Sequence, residues 1–303
     1  MHEPYALPDD LAGPFSVRDA AALGIGPERL RRQDLRRPYP GVRVRASLPP
    51  ADTLRDQVRE YSPRLRPGQF FSHETALALY GVPTPPWPHR TAIHVSAYRP
   101  AREPRTPGIV GHRLQHREPA WSDDLLGIPI ESPVRAWRQA GMTWRLDDLV
   151  AAADHLLFAS PVAIEDLRSE VETMGDPRGI LRAALVLTRV GVRSPRESTL
   201  RLVLARGGLP EPEINWILRD EHGMPVAELD LAFPRWRVCP EYDGRVHELD
   251  GGQFARDVDR WDRIRREGWE HVRIMRHHMR GGGAEAVRRV RDALLRAGWR
   301  PPQ

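Results

Sequence analysis

Two short runs carry acids where a buried strand would be apolar. Asp230 lies in "AELDLAF" (227–233), and Glu241 and Asp243 lie in "RVCPEYD" (237–243). Side chains alternate along a strand, so Glu228 and Asp230 share one face, as do Cys239, Glu241 and Asp243. A tight link at Pro234-Arg235 makes the two runs neighbours in a hairpin and lets Asp230 and Glu241 converge. Two carboxylates brought together repel, which raises one pKa unless a cation lies between them. All-oxygen ligands suit Mg²⁺ or Mn²⁺, and such an ion can polarise a phosphate and activate water. Pairing of the acids with nearby arginines is the plain structural alternative. The segment "EYDGRVH" adds a glycine and then His247, a candidate base with a near-neutral pKa.

Chemistry that needs a lysine is excluded, because the chain of 303 residues has none: all 46 of its basic residues are arginine. Schiff-base catalysis and Walker-type phosphate loops fall away. Arginine binds phosphate in a fork, so the net charge of +5 is compatible with nucleic acid. The single cysteine, Cys239, rules out an internal disulfide and reads as a buried strand thiol. No apolar run is long enough to span a membrane, and "MHEPYALPDD" does not resemble a signal peptide. A cytoplasmic protein is expected.

The elements that must position the acids form a third region, 191–303. The pattern predicts a helix over 195–206, strands over 213–219, 225–233 and 236–243, a helix over 253–267, a strand over 270–276 and a helix over 284–297. In "SPRE", Ser194, Pro195 and Glu197 have the spacing of a capping box. Asp257 falls within the apolar arc of Phe254, Val258, Trp261 and Ile264, where an acid needs a partner; Arg260 or Arg273 could supply it. The glycines at 281–283 read as a hinge or, less simply, a phosphate cradle.

A first region, 1–50, reads as helix ("SVRDAAALGI", capped by Ser16), turn, second helix ("GPERLRRQDL") and a small wing ("YPGVRVRAS"). That is the winged-helix order, with Arg29, Arg31 and Arg32 either touching DNA or forming a solvated face. The middle region, 51–190, contains "SHETALALYG", a helix capped by Ser72, the strand "TAIHVSAY", "SPVRAWRQAG", a helix capped by Ser132, and the buried-type helix "LDDLVAAADHLL". His73, His94, His112 and His116 fall on different elements without ligand-like spacing and read as ordinary core or surface histidines.

Residues 194–276 resemble the PD-(D/E)XK nuclease superfamily, and within it the bacterial branch related to very-short-patch repair (Vsr) endonucleases. The pieces are "SPRESTLR", "GLPEPEINW", "AELDLAFP", "EYDGRVH" and "QFARDVDRWDRIRREGWEHVRI". The resemblance implies a restriction-endonuclease-like domain with a central mixed sheet flanked by helices. It makes Asp230 and Glu241 the metal-binding pair, Glu197 an auxiliary acid, and the 253–267 helix a flank of the active site, so Asp257, Arg260 and Arg273 would support it from behind. Asp243 stands where the superfamily's lysine is usual. Residues 12–158 resemble the N-terminal part of AbiEi-type antitoxins through "LRRQDLRRPYPGVRV", "FSHETALALYGVP", "GIPIESPVRAW" and "DDLVAAADHLL". This implies a DNA-binding head and a defence or toxin–antitoxin setting. The expectation is an α/β protein that is a Mg²⁺- or Mn²⁺-dependent DNA endonuclease, with a partner toxin conceivable. Its rival is a non-catalytic DNA-binding regulator or antitoxin built on a degenerate nuclease fold.

Overall fold

The computed structural model describes residues 6–85, 92–115, 121–123, 127–243 and 251–302; for 121–123 and 251–258 it gives the backbone alone. The chain is a mixed α/β protein that divides into two units, Met1–Met142 and Thr143–Gln303.

In the first unit, β1 (Phe15–Ser16) leads into α1 (Val17–Ala22), and the Ser16 hydroxyl accepts from the Asp19 amide at 3.0 Å as the sequence predicts. The second helix expected over 26–35 does not form. Leu30 and Leu35 are both buried, yet five residues apart on a helix they would point about 140° from each other. The chain instead makes a single 3-10 turn, Arg29–Arg31, and enters β2 (Leu35–Arg36). β3 (Val42–Arg45) buries Val42 and Val44, leaves Arg43 and Arg45 half-buried, and pairs antiparallel with both β1 and β2. This small sheet covers a core of Leu11, Phe15, Ala20, Ile25, Leu30 and Leu35.

The same unit continues through α2 (Leu54–Tyr61), β4 (Gln69–Phe71), α3 (His73–Leu79), β5 (Ile93–Tyr98), β6 (Ile109–Leu114), β7 (Trp121–Asp123), β8 (Ile128–Ile130) and α4 (Pro133–Ala140). The five strands form one sheet in the order β6-β5-β4-β8-β7, with β5 parallel to β6 and antiparallel to β4. Ser132 caps α4 by accepting from the Arg135 amide at 3.3 Å. Ser72 does not cap α3. Its buried hydroxyl lies 2.7 Å from that of Ser96 on β5, and the His73 amide donates instead to Gln139 Oε1 at 2.9 Å.

The second unit comprises α5 (Leu146–Ala159), α6 (Ile164–Met174), α7 (Ile180–Leu187), α8 (Pro195–Arg206), β9 (Glu213–Arg219), β10 (Pro225–Ala232), β11 (Val238–Asp243), α9 (Gly251–Arg266), β12 (Glu270–Met275) and α10 (Ala284–Arg296). From α8 onward the elements match the sequence expectation to within two or three residues at each end. β9 and β10 form an antiparallel hairpin, and β11 and β12 pair in parallel across the α9 connection. The two pairs meet at one antiparallel bridge, Phe233 to Val238, across the 3-10 turn Pro234–Trp236. Helices lie on both faces. Leu200 and Leu204 of α8 and Val290 and Leu294 of α10 pack with Leu231, Phe233, Val238 and Ile274. Ile264 of α9 packs with Leu218, Leu229, Ala232 and Cys239.

Two details fix α8, which carries Glu197. Asp154 of α5 and Arg201 of α8, both side chains 1% exposed, pair at 3.1 Å, and Asp154 also accepts from Ser198 Oγ at 2.7 Å and the Arg189 amide at 2.7 Å. The glycine run before α10 is a tight turn: Gly281, Gly282 and Gly283 all have positive φ, and a Cβ on Gly283 would fall 2.4 Å from Val203 of α8. Among the described residues no helix is long and apolar enough to cross a membrane.

Candidate active site

The bridge at Phe233 and Val238 sets the site's register. Three residues back along β10 and three forward along β11, that register puts Asp230 opposite Glu241, although no ladder hydrogen bonds continue there. Asp230 is half-buried. Its burial, together with the carboxylates of Glu197 and Glu241, pushes its carboxyl up to about 6. Arg260 works against that rise without cancelling it. The sequence expectation that these three acids share a neighbourhood therefore describes their electrostatics.

Glu241 is held by two groups. His271 Nε2 lies 2.9 Å from Glu241 Oε2, and Arg260 Nη1 donates to both carboxylate oxygens at 2.8 Å. Burial raises the Glu241 pKa, but the hydrogen bond from His271 and the charge of Arg260 outweigh it and leave the carboxyl below its ordinary range. Arg260 also donates to the Glu228 carbonyl at 2.7 Å, so it ties α9 to both acid-bearing strands. His271 stacks on Trp261, ring centroids 5.6 Å apart, and the Arg273 guanidinium sits 4.7 Å over the same indole.

Asp243 accepts from Arg273 Nε at 2.6 Å. Both contacts between β11 and β12 are diagonal: Cys239 is in register with His271 and Glu241 with Arg273, so all four side chains lie on one face with Asp243. Cys239 forms part of the floor, 2% exposed, its thiol pushed up to about 12 by burial and Glu241. It is the inert strand thiol the sequence suggests.

Glu197 enters from the start of α8. Ser194 Oγ accepts from the Glu197 amide at 3.3 Å, which is half of the predicted capping box. The other half is displaced by one residue: Glu197 Oε2 accepts from the Arg193 amide at 3.1 Å. Exposed Arg193 pairs with Glu228 at 2.7 Å, and exposed Arg196 lies 5.5 Å over the Tyr242 ring.

Of the other predicted residues, His247 lies outside the described residues, as does the side chain of Asp257. Arg260 and Arg273, expected as partners for Asp257, are directed at Glu241 and Asp243. In the first unit, Arg29 is drawn into a two-pronged pair with Asp34 at 3.0 and 2.7 Å, and its side chain is only 12% exposed. Arg31 and Arg32 remain exposed, with Arg31 paired to Glu28 at 3.1 Å.

His271 was missed by sequence reasoning. In "EHVRIM" it alternates with Val272 and Ile274, which is the local signal, but its target depends on a parallel register that no local pattern encodes. The three histidines His73, His94 and His112 lie on three different elements, as the sequence reads. They come together, one ring nitrogen from each within 4.8 Å of the others, while His116 lies outside the described residues.

The donor set fits a divalent cation in one respect. Asp230, Glu241 and Glu197 offer hard carboxylate oxygens, and the Asp230 carboxyl is raised by its burial and then by those two neighbours. Two features oppose it. Arg260 already neutralises Glu241, and among the described residues no three potential ligands of this site lie within 4.8 Å of one another.

No family model matches the chain. It is similar to two uncharacterized proteins of Mycobacterium tuberculosis, MT2308 of strain CDC 1551 and Rv2248 of strain H37Rv. Each is 28% identical over 225 residues, covering 74% of this chain and 80% of the relative.

Proposed function

We propose that this protein is a divalent-metal-dependent endonuclease acting on DNA phosphodiesters, with Mg²⁺ or Mn²⁺ held by Asp230 and Glu241 on a restriction-endonuclease-like domain. The observation that carries this reading is the convergence of carboxylates: the Phe233–Val238 bridge sets Asp230 opposite Glu241, and burial together with Glu197 and Glu241 raises the Asp230 carboxyl to about 6. When bound, the cation supplies a Lewis acid that polarises a phosphoryl oxygen and acidifies the attacking water. The chain's own part is to place the ligands. His271 fixes the rotamer of Glu241 through its 2.9 Å hydrogen bond. Arg260 must share or release Glu241 as the ion arrives. Arg193 and Arg196, exposed at the start of α8, would contact phosphate.

The test is nicking of supercoiled plasmid by the full chain in Mg²⁺, Mn²⁺ or excess chelator. Cleavage is expected with metal only. Asp230→Asn should lower it by more than about 100-fold, since loss even of groups supporting a metal ligand costs 10–100-fold. Cleavage that persists in chelator, or at the parent rate in Asp230→Asn, overturns the assignment.

A second reading rests on a different observation. Arg260 on Glu241 and Arg273 on Asp243 place guanidinium groups against two of the site's acids. In that case the protein is a non-catalytic DNA-binding regulator or antitoxin, with a winged-helix-like head and a partner toxin. The full chain would then bind duplex DNA without cutting it. With Arg31→Ala and Arg32→Ala combined, the slope of log affinity against log salt should become shallower by about 2, one phosphate contact per arginine. An unchanged slope removes those residues from the interface.

A further inference from the structure

We propose that His73, His94 and His112 form a binding site for one divalent transition-metal ion of the zinc class. The site belongs to the first unit and stands apart from the nuclease reading.

Three separate elements build it. His94 lies on β5 and His112 on the parallel neighbour β6, where His112 is in register with Ser96, so the two imidazoles are diagonal neighbours on one face. His73 opens α3 directly after β4, the other neighbour of β5. His94 Nδ1 lies 2.9 Å from His112 Nε2, and the His73 ring stacks on that of His112 at 3.6 Å. Zn–N bonds of about 2.0–2.1 Å in a tetrahedron put ligand nitrogens about 3.4 Å apart. The three ligand nitrogens already lie within 4.8 Å of one another; metal binding turns the stacked His73 and His112 rings so that both lone pairs meet the ion and exchanges the His94–His112 hydrogen bond for two metal–nitrogen bonds.

The supporting shell is already built. His73 Nδ1 lies 2.9 Å from Ser72 Oγ, which lies 2.7 Å from Ser96 Oγ, and both serines are fully buried. With Nδ1 donating to Ser72, His73 keeps its lone pair on Nε2. The His73 backbone sits at φ +54°, a conformation that costs energy for a non-glycine residue. It is held there by Gln139, whose Oε1 accepts from the His73 amide while its Nε2 donates to buried Glu131 at 3.0 Å.

The chemistry selects the ion. Imidazole nitrogens without a carboxylate or thiolate favour Zn²⁺, Co²⁺, Ni²⁺ or Cu²⁺ over Mg²⁺ and Ca²⁺. Burial, then the neighbouring imidazoles and Arg138, push the His73 pKa well below its usual value. Burial and His94 bring that of His112 down to about 4.

The test uses tag-free full-length protein stripped by chelator and titrated with Zn²⁺ against a chromophoric competitor. Binding of one Zn²⁺ per chain at this site is expected, with Co²⁺ giving the visible absorption of a low-coordinate complex. His94→Asn and His112→Asn should each weaken Zn²⁺ binding by about 100-fold or more. Zn²⁺ should raise the Tm of the parent and not that of the folded histidine variants. Should those variants not fold, the parent decides: bound Zn²⁺ must protect His73, His94 and His112 from acylation by diethylpyrocarbonate. The proposal is overturned by a parent that binds no Zn²⁺ at micromolar concentration, by a folded His94→Asn/His112→Asn variant that binds as the parent does, or by protection of other histidines instead.

Discussion

At pH 7–8, Asp230→Asn is expected to stabilise the protein by roughly 2–3 kcal/mol. The Asp230 carboxyl rises from the ordinary 3.8 to about 6 in the folded chain, so the native state binds its proton more tightly than the unfolded state does. That contribution is fully present below about pH 4 and is lost as the pH rises through 6, where the ionised group is crowded by Glu197 and Glu241. Asparagine cannot ionise, so the variant escapes the loss, and its advantage should fade to nothing near pH 4. Urea unfolding of parent and variant at pH 4, 5.5 and 7.5 measures it. An advantage that is the same at every pH, or absent at pH 7.5, contradicts a carboxyl raised by burial and by its acidic neighbours. The same pair of proteins separates the two functional readings. If Asp230 holds a cation, Mg²⁺ at pH 7.5 raises the Tm of the parent and not of the variant. If Arg260 has replaced the cation, neither responds, although the pH effect remains.

Arg201→Met is expected to cost roughly 3–5 kcal/mol, the usual penalty for leaving a buried charge without its partner. Asp154 would keep Ser198 and the Arg189 amide but lose the counter-charge of Arg201, both side chains being 1% exposed. The carbonyl of Leu187, which accepts from Arg201 at 2.8 Å, loses its donor as well. Adding Asp154→Leu should recover part of the loss, because an apolar pair of similar volume can replace a buried ion pair. About 1–3 kcal/mol should remain, since Ser198 and the Arg189 amide then lack an acceptor. Denaturant midpoints at pH 7 give all three values. A single variant within 1 kcal/mol of the parent would show that the pair does not anchor α8 to α5.

The two effects have a common root in how α8 is used. Its inner side is pinned by a buried ion pair, and its first turn presents Glu197 to Asp230. Stability is concentrated behind the site, and electrostatic repulsion is left within it, where a cation or a proton relieves it.

What the sequence determines by itself is what depends on near neighbours. The alternation in "AELDLAF" and "RVCPEYD", the Ser194–Pro195 start of α8 and the apolar spacing of α9 and α10 place the second unit's elements within a few residues, because strand and helix periods are local. The link at Pro234-Arg235 announces the hairpin but not its register: a two-residue link would set Asp230 opposite Cys239, whereas the 3-10 turn Pro234–Trp236 pairs Phe233 with Val238 and so sets Asp230 opposite Glu241. Local reading fails where burial overrides pattern: Leu30 and Leu35 could not both reach the core from one helix, so a 3-10 turn and a strand took its place. It also fails across parallel pairs. β11 and β12 are separated by α9, and β5 and β6 by a loop, so the chain between them does not set their register. The packing of each sheet does, and with it the meeting of Glu241 with His271, of Asp243 with Arg273, and of His94 with His112. The same holds for Asp154 and Arg201, 47 residues apart. The acids were legible in the sequence because their strands are joined by a turn; their partners were not, because only the tertiary fold brings them within reach.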